Sequence, residues 1–162
     1  MPQNPAHWTV TPLVTPLTEG EALDRESFER LLGQQAAAQV SVVFVLGSAG
    51  EGPMLPEIVR RDVVATATDK LAGRVPVWAG VSDNSVARVL DNLRAAADCG
   101  ADAGVATLPY YGWPGKQEDE APFFRAIADA SPIPLVVYNL PKVAGVSLSF
   151  GSVEALVGHE NI

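Results

Sequence analysis

Leu135-Val136-Val137-Tyr138-Asn139-Leu140-Pro141 is the stretch on which the reading of this 162-residue chain turns. Ile133, Leu135, Val136 and Val137 form a short apolar, β-branched run, the pattern of a strand buried on both faces. Tyr138 and Asn139 arrive where that strand must end, and Pro141, with no amide to donate, stops the ladder. In parallel α/β folds the chemistry is placed at the carboxyl ends of strands. The phenol of Tyr138 is therefore either a reactive group at such an end or a core tyrosine bonded to backbone.

Outward from this stretch, strand and helix patterns alternate. Residues 9–13, 40–46, 75–80 and 103–107 read as four further strands. Residues 24–39 repeat apolar side chains at Phe28, Leu31, Leu32, Ala36 and Ala38, the spacing of an amphipathic helix. Residues 56–71 read as a second helix, with Pro56 in its first turn and its arginine-rich polar positions facing outward. Asn84 or Ser85 caps a third that runs to Cys99 and stops at Gly100. Glu118, Asp119 and Glu120 open a fourth as a solvated acidic first turn, and Ser149 or Ser152 opens a last one.

The strand centres lie near Val10, Val43, Trp78, Val105 and Val136, a recurrence of roughly 30 residues that marks βα units and a parallel sheet. Two α/β architectures fit, each treating residues 1–162 as one domain. A (β/α)₈ TIM barrel needs about 250 residues, so this chain would supply about five of its units. A five-stranded doubly wound, flavodoxin-like sheet would be complete at this length.

Composition narrows the partners. Nineteen acids against eleven bases give a net charge of −8, which argues against nucleic acid. The single cysteine, Cys99, excludes a disulfide framework, and the first seven residues lack the basic head and apolar run of a signal peptide. No apolar stretch approaches the roughly 18 residues of a membrane span. A cytoplasmic protein is expected. His7 and His159 sit at opposite ends of the chain, so neither a metal site nor a catalytic triad is expected.

Two loops after strands carry polar chemistry. Gly47-Ser48-Ala49-Gly50-Glu51-Gly52 could cradle an anion on its amides, or could simply be a tight strand-to-helix turn. It lacks the lysine of a P-loop and does not match G-x-G-x-x-G, so a small carboxylate suits it better than a nucleotide. Leu108-Pro109-Tyr110-Tyr111-Gly112-Trp113-Pro114 brings two phenols to the end of strand four, as packing or as part of a proton relay with Tyr138.

Taken together, Gly47-Ser48-Ala49-Gly50-Glu51, Leu108-Pro109-Tyr110-Tyr111 and Tyr138-Asn139-Leu140-Pro141 resemble the dihydrodipicolinate synthase and N-acetylneuraminate lyase family, in order and in spacing. Pro12-Leu13-Val14-Thr15-Pro16-Leu17 also looks like that family's first strand. The resemblance implies a TIM barrel, usually a homotetramer, that binds pyruvate or another 2-keto acid as a lysine Schiff base. A carbon–carbon bond is then made to, or broken from, an aldehyde partner without metal or organic cofactor. It further implies that Tyr138 shuttles protons, that the Ser48 hydroxyl links the tyrosines, and that Gly47, Ser48 and Ala49 hold the keto-acid carboxylate. Tyr111 resembles the tyrosine that completes the relay in a neighbouring subunit.

Two departures accompany the likeness. Ala49 stands where a second hydroxyl residue is often found, and Val143 where synthase members place an arginine that grips a second carboxylate. The family's Schiff-base lysine lies on a sixth strand, expected just past Ile162. Of Lys70, Lys116 and Lys142, none is expected to be the desolvated amine that such chemistry requires. Three readings stand: the N-terminal part of a Schiff-base lyase or synthase, inactive alone; a family-derived binding module without catalysis; or a flavodoxin-like ligand-binding domain.

Overall fold

Each strand of the sheet hydrogen-bonds to the strand that follows it in sequence. The computed structural model describes residues 8–113 and 115–162; residues 1–7, which include His7 and the segment read for a signal peptide, lie outside them, as does Pro114. β1 (Val10–Pro12), β2 (Val42–Val45), β3 (Val77–Gly80), β4 (Ala103–Ala106) and β5 (Leu135–Val137) form one parallel sheet in the order β1-β2-β3-β4-β5. A flavodoxin-like sheet reverses direction to give 2-1-3-4-5, whereas a barrel adds every strand on the same side of the last. The order is the barrel's. The flavodoxin-like alternative falls, and the chain supplies five consecutive βα units of a (β/α)₈ barrel.

Helices α1 (Arg25–Ala37), α2 (Glu57–Leu71), α3 (Val86–Asp98) and α4 (Gln117–Ala130) make the returns. Their starts are fixed locally. Asp24 accepts the Ser27 amide at 3.1 Å, and Ser85 accepts the Arg88 amide at 3.3 Å. Two short helices follow β5: α5 (Pro141–Ala144), which the sequence pattern does not anticipate, and α6 (Phe150–Leu156), capped by Ser149. Val43, Val45, Val77, Ala79, Ala106 and Leu135 turn toward the helices and pack with Phe28, Leu32, Val63, Leu93, Phe124 and Ile127. Alternation along the strands puts Val42, Phe44 and Val105 on the opposite, barrel-interior face.

Three expectations are corrected. β5 is not buried on both faces: Leu135 is buried, but Val136 and Val137 are only half-buried, because β5 is an edge of this sheet. Arg60 of α2 does not face outward. Its guanidinium donates to Asn92 Oδ1 at 3.0 Å and to the Gly80 carbonyl at 3.3 Å, joining α2 to α3 and the end of β3.

Glu120 is not solvated either. It is 3 % exposed, and its Oε2 accepts the Ser149 amide at 3.0 Å, tying α4 to the start of α6. Burial works against its charge, but the Ser149 amide and the Ser152 and Ser149 hydroxyls outweigh it and hold its pKa below the ordinary value. A depressed folded pKa means that the stabilisation is complete above the unfolded value and is lost as pH falls through the folded one. Glu120→Ala in the full-length protein is therefore expected to cost about 1–3 kcal/mol at neutral pH, measured by urea denaturation. The deficit should shrink in acid; one that is the same at all pH values would assign the loss to packing instead.

Candidate functional site

The loop after β2 is built by backbone close to its steric limit. Leu46 (φ 59°) and Glu51 (φ 54°) both adopt the left-handed conformation, rare for residues with a side chain. The Leu46 carbonyl is thereby pressed against two glycines. A Cβ on Gly52 would lie 2.0 Å from that oxygen and one on Gly80 2.1 Å from it, so neither position admits a side chain. Within the loop the Gly50 and Gly52 amides donate to the Gly47 carbonyl at 3.0 and 3.3 Å, and the Glu51 amide to the Ser48 carbonyl at 3.3 Å. Thr15 Oγ1 pins the Gly50 carbonyl at 2.7 Å. Among the described residues, the amides of Gly47, Ser48 and Ala49 have no partner in the chain. Consecutive unspent amides are a site for an anion.

Gly47 and Ser48 border a hollow at the carboxyl ends of β2 to β5, lined also by Ser82, Thr107, Tyr110, Tyr138 and Val143 over a floor that includes Phe44. Tyr138 continues β5, its amide donating to the Ala106 carbonyl at 2.8 Å. Its ring stands edge-on to Phe44 at 6.2 Å and 83°, and the residue is 37 % exposed. Among the described residues, no charged side chain lines the hollow.

Of the residues singled out from the sequence, Gly47, Ser48 and Tyr138 meet at this hollow. Ala49 is exposed and does not line it. Tyr111 is 81 % exposed and points elsewhere, while its neighbour Tyr110 takes the lining position. Sequence reasoning misses Ser82 and Thr107, although each carries a signal, a hydroxyl at a strand end. It also misses Asp83, which is 5 % exposed and accepts Arg88 Nε and the Asn84 amide at 2.7 Å each. Burial opposes its charge, yet Arg88, the Asn84 amide and Asn92 hold its pKa below the usual range.

The lysines stand apart from the hollow. Lys70 Nζ pairs with Glu29 at 3.0 Å on the outer helices, Lys116 Nζ lies 3.6 Å from Glu118, and Lys142 is exposed on α5. Among the described residues no group of three or more His, Cys, Asp or Glu side chains could hold a metal ion, and no helix is long and apolar enough to cross a membrane.

Comparison with known proteins agrees with this arrangement. The family model described as "Dihydrodipicolinate synthetase family" matches residues 6–162. The 4-hydroxy-tetrahydrodipicolinate synthase of Exiguobacterium sibiricum is 38 % identical over 152 residues, which are 94 % of this chain and 52 % of the relative. That of Sphingopyxis alaskensis is 39 % identical over 141 residues, 86 % of this chain and 48 % of the relative. Among solved structures, a chloride-inhibited dihydrodipicolinate synthase from Acinetobacter baumannii complexed with pyruvate superposes with a TM-score of 0.90 at 30 % identity, over 96 % of this chain and 53 % of that one. The chain thus spans about half the length of the curated relatives it matches. With strand order, the strand-end hollow and the match over residues 6–162 in agreement, the chain belongs to the dihydrodipicolinate synthetase family.

Proposed function

We propose that this chain is a single domain forming the N-terminal part of a carbon–carbon lyase or synthase that takes pyruvate or a related 2-keto acid through a lysine Schiff base. The observation that carries the reading is the meeting of Tyr138, Ser48 and the unspent amides of Gly47 and Ser48 at one strand-end hollow. In this reading the amides of Gly47, Ser48 and Ala49 bind the keto-acid carboxylate, and Tyr138 moves protons at the imine and at the bond being made or broken. Ser48 Oγ links that phenol to the rest of a relay. Tyr111, directed away from its own hollow, reaches the site of a neighbouring copy, which makes the protein a homo-oligomer, by family resemblance a tetramer. The amine comes from residues outside 1–162, since none of Lys70, Lys116 and Lys142 lines the hollow. The relative complexed with pyruvate supports the substrate class. The lone Cys99 and acidic balance support a cytoplasmic setting.

The lining also bears on the second substrate, an aldehyde. Val143 is uncharged and half-exposed at the rim, so nothing on it can grip a second carboxylate. Val143→Arg in the full-length protein should raise kcat/KM for an aldehyde bearing a carboxylate, such as aspartate semialdehyde, by roughly 10-fold or more through a bidentate pair, relative to a neutral aldehyde. Steady-state kinetics with both aldehydes test this. Turnover of aspartate semialdehyde by the unmodified protein that equals its best neutral aldehyde would sink it.

A further inference from the structure

The loop after β3 grips the loop after β4 at three points. Ser82 Oγ accepts the Thr107 amide at 3.0 Å, and the single side-chain oxygen of Asn84, Oδ1, accepts two consecutive amides, Tyr110 at 3.1 Å and Tyr111 at 2.9 Å. Asn84 is itself anchored: its amide donates to the buried carboxylate of Asp83, and Ser85 beside it caps α3. Two adjacent amides converging on one acceptor fix the peptide plane between the two tyrosines. A rotation that exchanged their directions would break both bonds. The outcome is visible in the side chains, with Tyr110 lining the hollow and Tyr111 81 % exposed.

We propose that Asn84 is a positioning residue for the reaction, setting which phenol faces the hollow and which is delivered outward. This rests on reading the hollow as the keto-acid site. Its effect runs through Tyr110 and Tyr111 and not through contact with substrate, so it belongs to turnover and not to keto-acid capture. The carboxylate cradle and Tyr138 lie on other loops and keep their own anchors.

The test uses the full-length protein in three forms: unmodified, Asn84→Ala, which removes the acceptor, and Asn84→Asp, which keeps an oxygen in the same place. Hydrogen–deuterium exchange over residues 107–112 should quicken in Asn84→Ala and stay near the unmodified rate in Asn84→Asp. In the same pair, kcat should fall about 10²-fold in Asn84→Ala, the scale of a small misplacement of a reacting group, and recover in Asn84→Asp. KM for pyruvate and borohydride trapping by pyruvate should hold in both. Unchanged kcat in Asn84→Ala, or equal losses in both variants, overturns the proposal while trapping by pyruvate leaves the site reading intact. An unmodified protein that is neither trapped by pyruvate nor turns it over overturns the site reading itself, and the positioning role with it.

Discussion

Tyr138→Phe in the full-length protein is expected to leave the fold intact and to lower turnover by about 10²–10⁴-fold, the span usual for loss of a positioned acid–base group. The structural cost is small because what holds Tyr138 survives the change. Its amide still donates to Ala106, its ring still meets Phe44 edge-on, and the residue is 37 % exposed, so no buried donor or acceptor is left unpaired. Only the hydroxyl goes, and it belongs to a side chain lining the hollow with Ser48 and Tyr110. Melting temperature and far-ultraviolet circular dichroism should match the unmodified protein while kcat collapses. Near-normal turnover with the same pH dependence would return Tyr138 to a packing role.

The parts of the fold legible in the sequence are those fixed by near neighbours. The apolar runs behind β2 and β3, the 3.6-residue spacing of Phe28, Leu31 and Leu32, and caps such as Ser85 and Ser149 act within a few residues, so their pattern can be read directly. The parts that escape such reading depend on partners far along the chain. Glu120 looks like any acid in a first turn until Ser149 arrives to donate to it. Arg60 looks solvated until Asn92 and the Gly80 carbonyl draw it inward.

The site divides in the same way. Tyr138, Gly47 and Ser48 stand out because a phenol and a glycine-rich turn at strand ends are unusual locally. Tyr110 and Tyr111 are adjacent and chemically identical, so only the grip of Asn84, 26 and 27 residues away, distinguishes their directions. Val136 and Val137 carry the pattern of a fully buried strand, and their partial exposure follows from β5 lying at the edge of this sheet. The pattern records the environment of a closed barrel, which five strands alone do not reproduce.

That incompleteness governs the second large effect. In the proposed reading, Schiff-base chemistry needs an amine within bonding distance of the keto carbon, close to Tyr138 and across from the cradle assigned to Gly47, Ser48 and Ala49. Proximity supplies much of the rate, so a lysine elsewhere is no substitute. The amine must also shed its proton near neutral pH, which burial or a neighbouring charge brings about. None of the three lysines lines the hollow. Lys70 is held by Glu29 on the outer helices, Lys116 lies beside Glu118, and Lys142 is exposed on α5 and absent from the lining. In a barrel, the position beside β5 that faces inward at the carboxyl end belongs to the next strand. Borohydride reduction in the presence of pyruvate should therefore leave residues 1–162 alone unmodified, while the full-length protein gains one pyruvyl adduct per chain at a lysine outside that range. Intact mass after reduction, followed by peptide mapping, reads the result directly. An adduct on the 162-residue chain mapped to Lys142 would overturn the assignment, because an exposed amine on α5 would then form the imine that the barrel geometry reserves for a residue of the following strand.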